Sequence, residues 1–276
     1  MIDAHRHFWR YSPSMHGWID DSMPMLKHDF LPGDRGPLEA AGEDEGCIAV
    51  QALHSAAETS WLLSSSMQHA NLLGVVGWVD LCAIDAAQRL DDLCNHPHFV
   101  GVRHLLQDEP DAQFMARADF RRGLSELEPR DLCFDILVRE PQRDSAIELV
   151  RAFPNQRFVL DHMAKPDLRA GVLEPWRRQL RDLARSENLF CKLSALATEA
   201  DLKAWKPAEL APYVEVALEC FGPARLIFGS DYPVCLLAGD TARVIDAHLN
   251  PLRQLSPAEF RAVTHTNALR AYGLSP

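Results

Sequence analysis

The sequence predicts an α/β protein of the (β/α)8 TIM-barrel class, and three observations carry that expectation. Short apolar runs rich in β-formers alternate with helix-length amphipathic stretches along the whole chain. The apolar runs number eight, and their near-continuous apolar character suits parallel strands covered by helices. The length, 276 residues, accommodates eight such units in one barrel and is short for two open sheets with helices on both faces.

In chain order the strand runs are 1–5, 47–53, 73–79, 99–103, 132–138, 157–160, 189–193 and 225–228. Between the later runs lie helix-length stretches at 143–152, 176–186 and 207–220, the last opening on a proline suited to a first helical turn. Residues 176–178, Trp-Arg-Arg, read as an ordinary amphipathic helix start. Two further helical stretches, 241–249 and 257–272, follow the last strand. The stretch 9–46 is too long for a minimal connection and is rich in Pro, Gly and acidic residues, so it is expected to pass over the barrel mouth. No linker or internal repeat divides residues 1–276, and one domain is expected.

Composition narrows the partners. The hydrophobic fraction of 47% and the charged fraction of 24% are ordinary globular values, which disfavours disordered and fibrous chains. With 28 basic against 39 acidic side chains the net charge is -11, and no Lys/Arg run could track a phosphate backbone, so nucleic acid is not an expected partner. No apolar stretch is long enough to cross a bilayer, and the opening Met-Ile-Asp-Ala-His lacks a secretory pattern; a cytoplasmic location without membrane contact is expected. The seven cysteines are odd in number and never spaced C-x-x-C, which points to reduced thiols rather than disulfides or structural zinc. Oligomeric state leaves no mark in the sequence.

A barrel requires its reactive side chains at the carboxyl ends of several strands. The first run ends in His5-Arg6-His7, where strand alternation puts both imidazoles on one face, in place for a metal or a carbonyl. The fourth ends in Arg103-His104, the sixth in Asp161-His162, the seventh in Lys192-Leu193-Ser194 and the eighth in Ser230-Asp231-Tyr232-Pro233. Each has a plain alternative: hydrogen-bonded rim histidines, a turn aspartate at 231, a snorkelling Lys192, an Arg103 paired with some carboxylate. Their coincidence at the same end of successive strands weighs against those readings.

Together these segments resemble the lactonase branch of the amidohydrolase superfamily. The residues that carry the resemblance are Ile2-Asp3-Ala4-His5-Arg6-His7-Phe8-Trp9-Arg10, Val76-Gly77-Trp78-Val79-Asp80-Leu81, Val159-Leu160-Asp161-His162, Lys165-Pro166, Lys192-Leu193-Ser194 and Phe228-Gly229-Ser230-Asp231-Tyr232-Pro233-Val234. The branch includes sugar-acid lactonases and a pyrone-dicarboxylate lactonase. The resemblance implies Asp231 as general base, with His5, His7 and His162 around the water and the carbonyl. It also implies that no divalent metal is obligatory, since the seventh run offers Lys192 and Ser194 where metal-dependent members place a further histidine. If zinc or another divalent ion binds, His5, His7 and Asp231 are its expected ligands, with His162 as an additional one.

The expected reaction is hydrolysis of a sugar-acid lactone such as L-fucono- or L-rhamnonolactone. Asp231 would deprotonate water, and Arg103 or Lys192 would join the histidines in polarising the carbonyl. Trp18, Trp78, His104, Gln107 and Tyr232 are the candidates to contact sugar hydroxyls and ring faces. Only Arg103 and Arg6 stand at motif positions, which favours an uncharged aldonolactone over a dicarboxylated pyrone. The competing readings are a metal-dependent amidohydrolase or decarboxylase and a binding barrel without activity.

Overall fold

In the computed structural model, which describes residues 1–275, the eight runs form one parallel sheet whose order follows the chain from β1 to β8. The strands are β1 (Asp3–Arg6), β2 (Cys47–Val50), β3 (Leu72–Gly77), β4 (Phe99–His104), β5 (Cys133–Ile136), β6 (Phe158–Leu160), β7 (Leu189–Leu193) and β8 (Leu226–Phe228). Every neighbouring pair is parallel, so all carboxyl ends share one rim. This is the (β/α)8 TIM barrel that the alternation of runs predicts.

Helices α1 (Pro37–Ala41), α2 (Ala56–Ser66), α3 (Ala86–Cys94), α4 (Ala118–Leu124), α5 (Arg143–Ala152), α6 (Trp176–Ala184), α7 (Leu196–Glu199), α8 (Pro207–Phe221), α9 (Thr241–Leu249), α10 (Pro257–Arg261) and α11 (Asn267–Ala271) connect or follow the strands. The expected helix 257–272 is one stretch interrupted by a π-helical turn, Ala262–Thr266, between α10 and α11. None of these helices is long and apolar enough to cross a membrane. All seven cysteines are free thiols.

Alternation along the strands separates two cores. One face packs against the helices through residues such as Val75, Phe134, Phe158, Leu193 and Phe228. The opposite face, with Ile48, Val76, Cys133, Val159, Phe190 and Ile227, fills the barrel interior and meets Leu269 and Tyr272 from the chain end. Two positions further along three of those strands, on that same inward face, stand Asp135, Asp161 and Lys192, so a polar layer lies above the apolar one.

Trp9, Ile19, Leu26, Phe30 and Ala52 form a third apolar cluster, joined by Val234 and Leu237, which ties the 9–46 stretch to the loop after β8. Trp9 and Phe30 also pair backbone to backbone.

Candidate active site

Between its first and last strands the barrel is joined by polar contacts rather than a regular ladder. Ser230 donates its backbone N–H to Asp3 Oδ1 at 2.8 Å and its hydroxyl to Oδ2 of the same carboxylate. Asp231 N–H then donates to the His5 carbonyl at 2.9 Å, and His7 N–H to the Tyr232 carbonyl at 2.7 Å. At position 229 only glycine fits, since a β-carbon there would lie 2.7 Å from the His5 β-carbon. The result sets Asp231 Oδ1 at 3.4 Å from His7 Nε2 and 3.7 Å from His5 Nε2. Residues 226 positions apart in sequence thus share one site.

Beneath them the interior polar layer is ionic and buried. Lys192 Nζ donates to Asp135 Oδ2 at 2.6 Å, stands 3.0 Å from Asp161 Oδ1, and reaches His5 Nδ1 at 3.1 Å. Arg103 donates one Nη to Asp161 Oδ2 at 3.0 Å and the other to the Gln51 carbonyl, and the Tyr272 hydroxyl donates to Asp135 Oδ2 at 2.9 Å. Two carboxylates face two cations, so the layer is balanced in charge, as burial requires. Burial alone would raise the Asp161 carboxyl, but Lys192, His5 and Arg103 hold it well below the usual carboxylate range. Burial likewise acts against the Lys192 ammonium, yet Asp135 and Asp161 keep its pKa above the ordinary lysine value.

His5 stands between two cations, with Lys192 Nζ 3.1 Å from Nδ1 and an Arg103 Nη 3.2 Å from Nε2, and its Nε2 lies 3.2 Å from His7 Nε2. His7 Nδ1 faces the Val50 carbonyl at 2.7 Å and must be its donor. Burial, with the Lys192 charge, keeps His5 neutral far below its ordinary titration range. Asp231 lies 3% exposed; burial pushes its carboxyl up, but His162 and His7 outweigh that and hold it below the usual value, so it is a carboxylate at neutral pH. His5 does not follow strict alternation with its interior neighbour Ala4: β1 shifts register against β2 between Asp3 and Arg6.

His162 arrives differently. After β6 the four successive residues His162, Met163, Ala164 and Lys165 all have φ between 48° and 56°, a left-handed turn without a glycine. Each such residue costs roughly 1–2 kcal/mol relative to the right-handed form. The turn places the His162 ring 4.4 Å from that of His5, with Nδ1 2.7 Å from Ser194 Oγ.

A cavity of about 320 Å³ opens above these groups, with His7, His162, Arg103 and Asp231 in its wall. Trp18 and Gln107 line it as the sequence predicts, and the Gln107 Oε1 is buried without a partner. The other expected substrate contacts are placed elsewhere: Lys192 lies wholly beneath the site, Tyr232 packs on Phe30, His104 pairs with Glu109 at 2.6 Å, and Trp78 stacks on His54. His5 is also beneath the wall, touching Asp231 and His7 without facing the cavity itself. Sequence reasoning did not single out Arg139, Arg169, Glu199 or Asp135. The first three come from loops and a short helix on the rim, and Lys165 joins them, pairing with Glu199 at 3.2 Å. The inference that few cations converge on the mouth is therefore corrected: Arg139, Lys165 and Arg169 share it with Arg103. A larger hollow of about 590 Å³ lies at the amino-terminal end of β3 and β4 and gathers mostly apolar side chains.

The donor set fits a divalent cation. One ligand atom each from His5, His162 and Asp231 lie within 4.8 Å of one another, with His7 Nε2 beside them. Of the four expected ligands, His7 is outside this tightest group.

A family model described as amidohydrolase matches residues 2–274. An L-fucono-1,5-lactonase of Burkholderia multivorans is 38% identical over 99% of this chain and 96% of its own length. A second, from Burkholderia ambifaria, is 36% identical over 86% of this chain and 82% of its own. The crystal structure of an amidohydrolase from Burkholderia multivorans with bound zinc superposes with a TM-score of 0.95 at 39% identity, covering 99% of each chain.

Proposed function

This chain belongs to the amidohydrolase family, and from that premise we propose that it hydrolyses the ring ester of a sugar-acid lactone, an L-fucono-1,5-lactone-like substrate being the first candidate. The observation that carries the reading is the meeting of an ionised Asp231 with His7 and His162 in the wall of one cavity.

Asp231 takes a proton from the attacking water and returns it to the ring oxygen as that oxygen leaves. His7, anchored by its Nδ1–H to the Val50 carbonyl, holds Nε2 3.4 Å from Asp231 Oδ1 and so flanks the water that Asp231 activates. Arg103, fixed by Asp161 and Gln51, meets the negative charge that grows on the carbonyl oxygen. His162 and Gln107 in the cavity wall face the substrate's hydroxyls. A divalent ion held by His5, His162 and Asp231 would supply Lewis-acid polarisation and a more acidic bound water. Two fixed cations already flank His5, with Lys192 Nζ at 3.1 Å and an Arg103 Nη at 3.2 Å, which supports turnover that does not depend on such an ion. The 9–46 stretch, which contributes Trp18 and Met23 to the cavity wall, covers the mouth.

A pH-indicator assay of L-fucono-1,5-lactone, L-rhamnonolactone and 2-pyrone-4,6-dicarboxylate, with and without chelator, tests the reading. Hydrolysis of the sugar lactones that persists in chelator is expected. Cleavage of the pyrone alone would overturn the substrate class, and activity lost in chelator and restored by zinc would favour a metal-dependent amidohydrolase.

A further inference from the structure

The left-handed turn after β6 leads to two side chains that lie outside the cavity. We propose that Arg143, assisted by Trp176, is a positioning residue for lactone hydrolysis: it holds the backbone of residues 162–165 in the conformation that aims His162 and Lys165 into the cavity. The inference rests on the functional reading above for its activity readout, and on the backbone geometry for the rest.

Four L-residues in succession do not hold the left-handed region unaided, and the turn contains no glycine to ease it. Its internal support is that of a short 3-10 turn, closed by Lys165 N–H donating to the His162 carbonyl at 2.8 Å. The remaining carbonyls of the turn point away from the cavity, toward α5 and α6. There Trp176 Nε1 donates to Met163 O at 2.7 Å, Arg143 Nε to Ala164 O at 2.9 Å and Arg143 Nη2 to Lys165 O at 2.5 Å. Both side chains are almost fully buried, 3% exposed for Arg143 and 2% for Trp176.

The chemistry of these donors fits a clamp. A guanidinium presents a rigid, permanently charged fork, which suits two successive carbonyls in a way that a lysine point charge does not. Arg143 is itself fixed, its other Nη reaching Gln179 Oε1 at 3.4 Å while the Gln179 amide donates to Asp144 Oδ1 at 2.9 Å. On the cavity side the turn delivers His162, hydrogen-bonded to Ser194, and Lys165, paired with Glu199. Arg143 touches neither the cavity nor the ionic layer, so any effect on turnover passes through the turn.

The test compares kcat, KM and thermal midpoint for the full chain as wild type, Arg143→Gln, Trp176→Phe, and each variant combined with Ala164→Gly, using L-fucono-1,5-lactone. Arg143→Gln is expected to lower kcat by about 10²-fold with KM changed by less than about threefold, because displaced catalytic groups weaken the transition state more than binding. Adding Ala164→Gly should recover about tenfold of that loss, since glycine enters the left-handed region without a β-carbon clash. A role in packing alone would not be relieved by that glycine. An unchanged kcat in Arg143→Gln, or no recovery on adding Ala164→Gly, would overturn the proposal. Should Arg143→Gln not fold, Trp176→Phe carries the same test with an expected loss of about tenfold, again relieved by Ala164→Gly; an unchanged kcat there overturns it. If the wild type cleaves no lactone, the functional reading fails separately, and crystal structures of wild type and Trp176→Phe decide the inference: a rearranged 162–165 turn in the variant supports it, an unchanged turn contradicts it.

Discussion

Lys192 has no exposed surface and sits between Asp135 at 2.6 Å and Asp161 at 3.0 Å, so its charge is part of the fold rather than of the cavity wall. Replacing it with methionine leaves Asp161 paired with Arg103 and the buried Asp135 carboxylate with only the Tyr272 hydroxyl. The expected loss of stability in Lys192→Met is about 3–5 kcal/mol, the range for breaking one partner out of a buried ion pair. Chemical denaturation followed by circular dichroism measures this, and a midpoint equal to that of the wild type would refute the ionic balance described. This layer had a legible signal: a lone Asp inside the apolar run at 132–138 and a lone Lys inside Leu-Phe-Cys-Lys-Leu at 189–193. Period-two alternation puts both inward, yet the sequence could not say that they face each other, because strand spacing gives direction and not partner. Lys192 read as a substrate contact for that reason.

At the scale of elements, the site depends on how β1 meets the loop after β8. Gly229→Ala would press a β-carbon to within 2.7 Å of the His5 β-carbon, so the two segments must separate. A fall in kcat of about 10²-fold is expected for Gly229→Ala, because a displacement near 1 Å between Asp231 and the histidines suffices for that. Steady-state assay checks it, and wild-type turnover would show that the close approach is immaterial. The strand ends were readable because apolar runs stop where His, Asp and Arg begin, as at His5, Asp161 and Asp231. The left-handed turn was not, since Asp-His-Met-Ala-Lys contains neither glycine nor asparagine and its conformation is imposed from α5 and α6. Helix α2 escaped notice for a simpler reason: its Ala56–Ser66 sequence is rich in Ser and carries little amphipathic contrast.

Across the whole molecule, buried neutral imidazoles couple stability to pH. His248 is fully buried; its Nε2 accepts the Leu196 N–H at 3.2 Å and its Nδ1 donates to the Val244 carbonyl at 2.8 Å, an arrangement only the neutral ring can satisfy. Burial lowers its pKa from the ordinary 6.5, and His5 and His162 are lowered further by the same cause. Below about pH 6.5 the unfolded chain therefore binds protons that the folded chain refuses, so stability is full above that pH and declines as pH falls toward the folded-state values. Thermal midpoints should drop between about pH 7.5 and pH 5.5, and less steeply in His248→Gln. A midpoint that rises on acidification would contradict this. The barrel also unites what the sequence scatters: it brings Arg139, Lys165 and Arg169 to a mouth where only Arg103 and Arg6 stood at motifs, because rim loops converge in space without any fixed spacing. The same convergence makes Asp231 the centre of the proposed chemistry. The decisive measurement is the turnover of Asp231→Asn on L-fucono-1,5-lactone beside Arg103→Lys. A loss of about 10³-fold or more is expected for Asp231→Asn and a clearly smaller one for Arg103→Lys. Near-wild-type hydrolysis by Asp231→Asn would contradict the account.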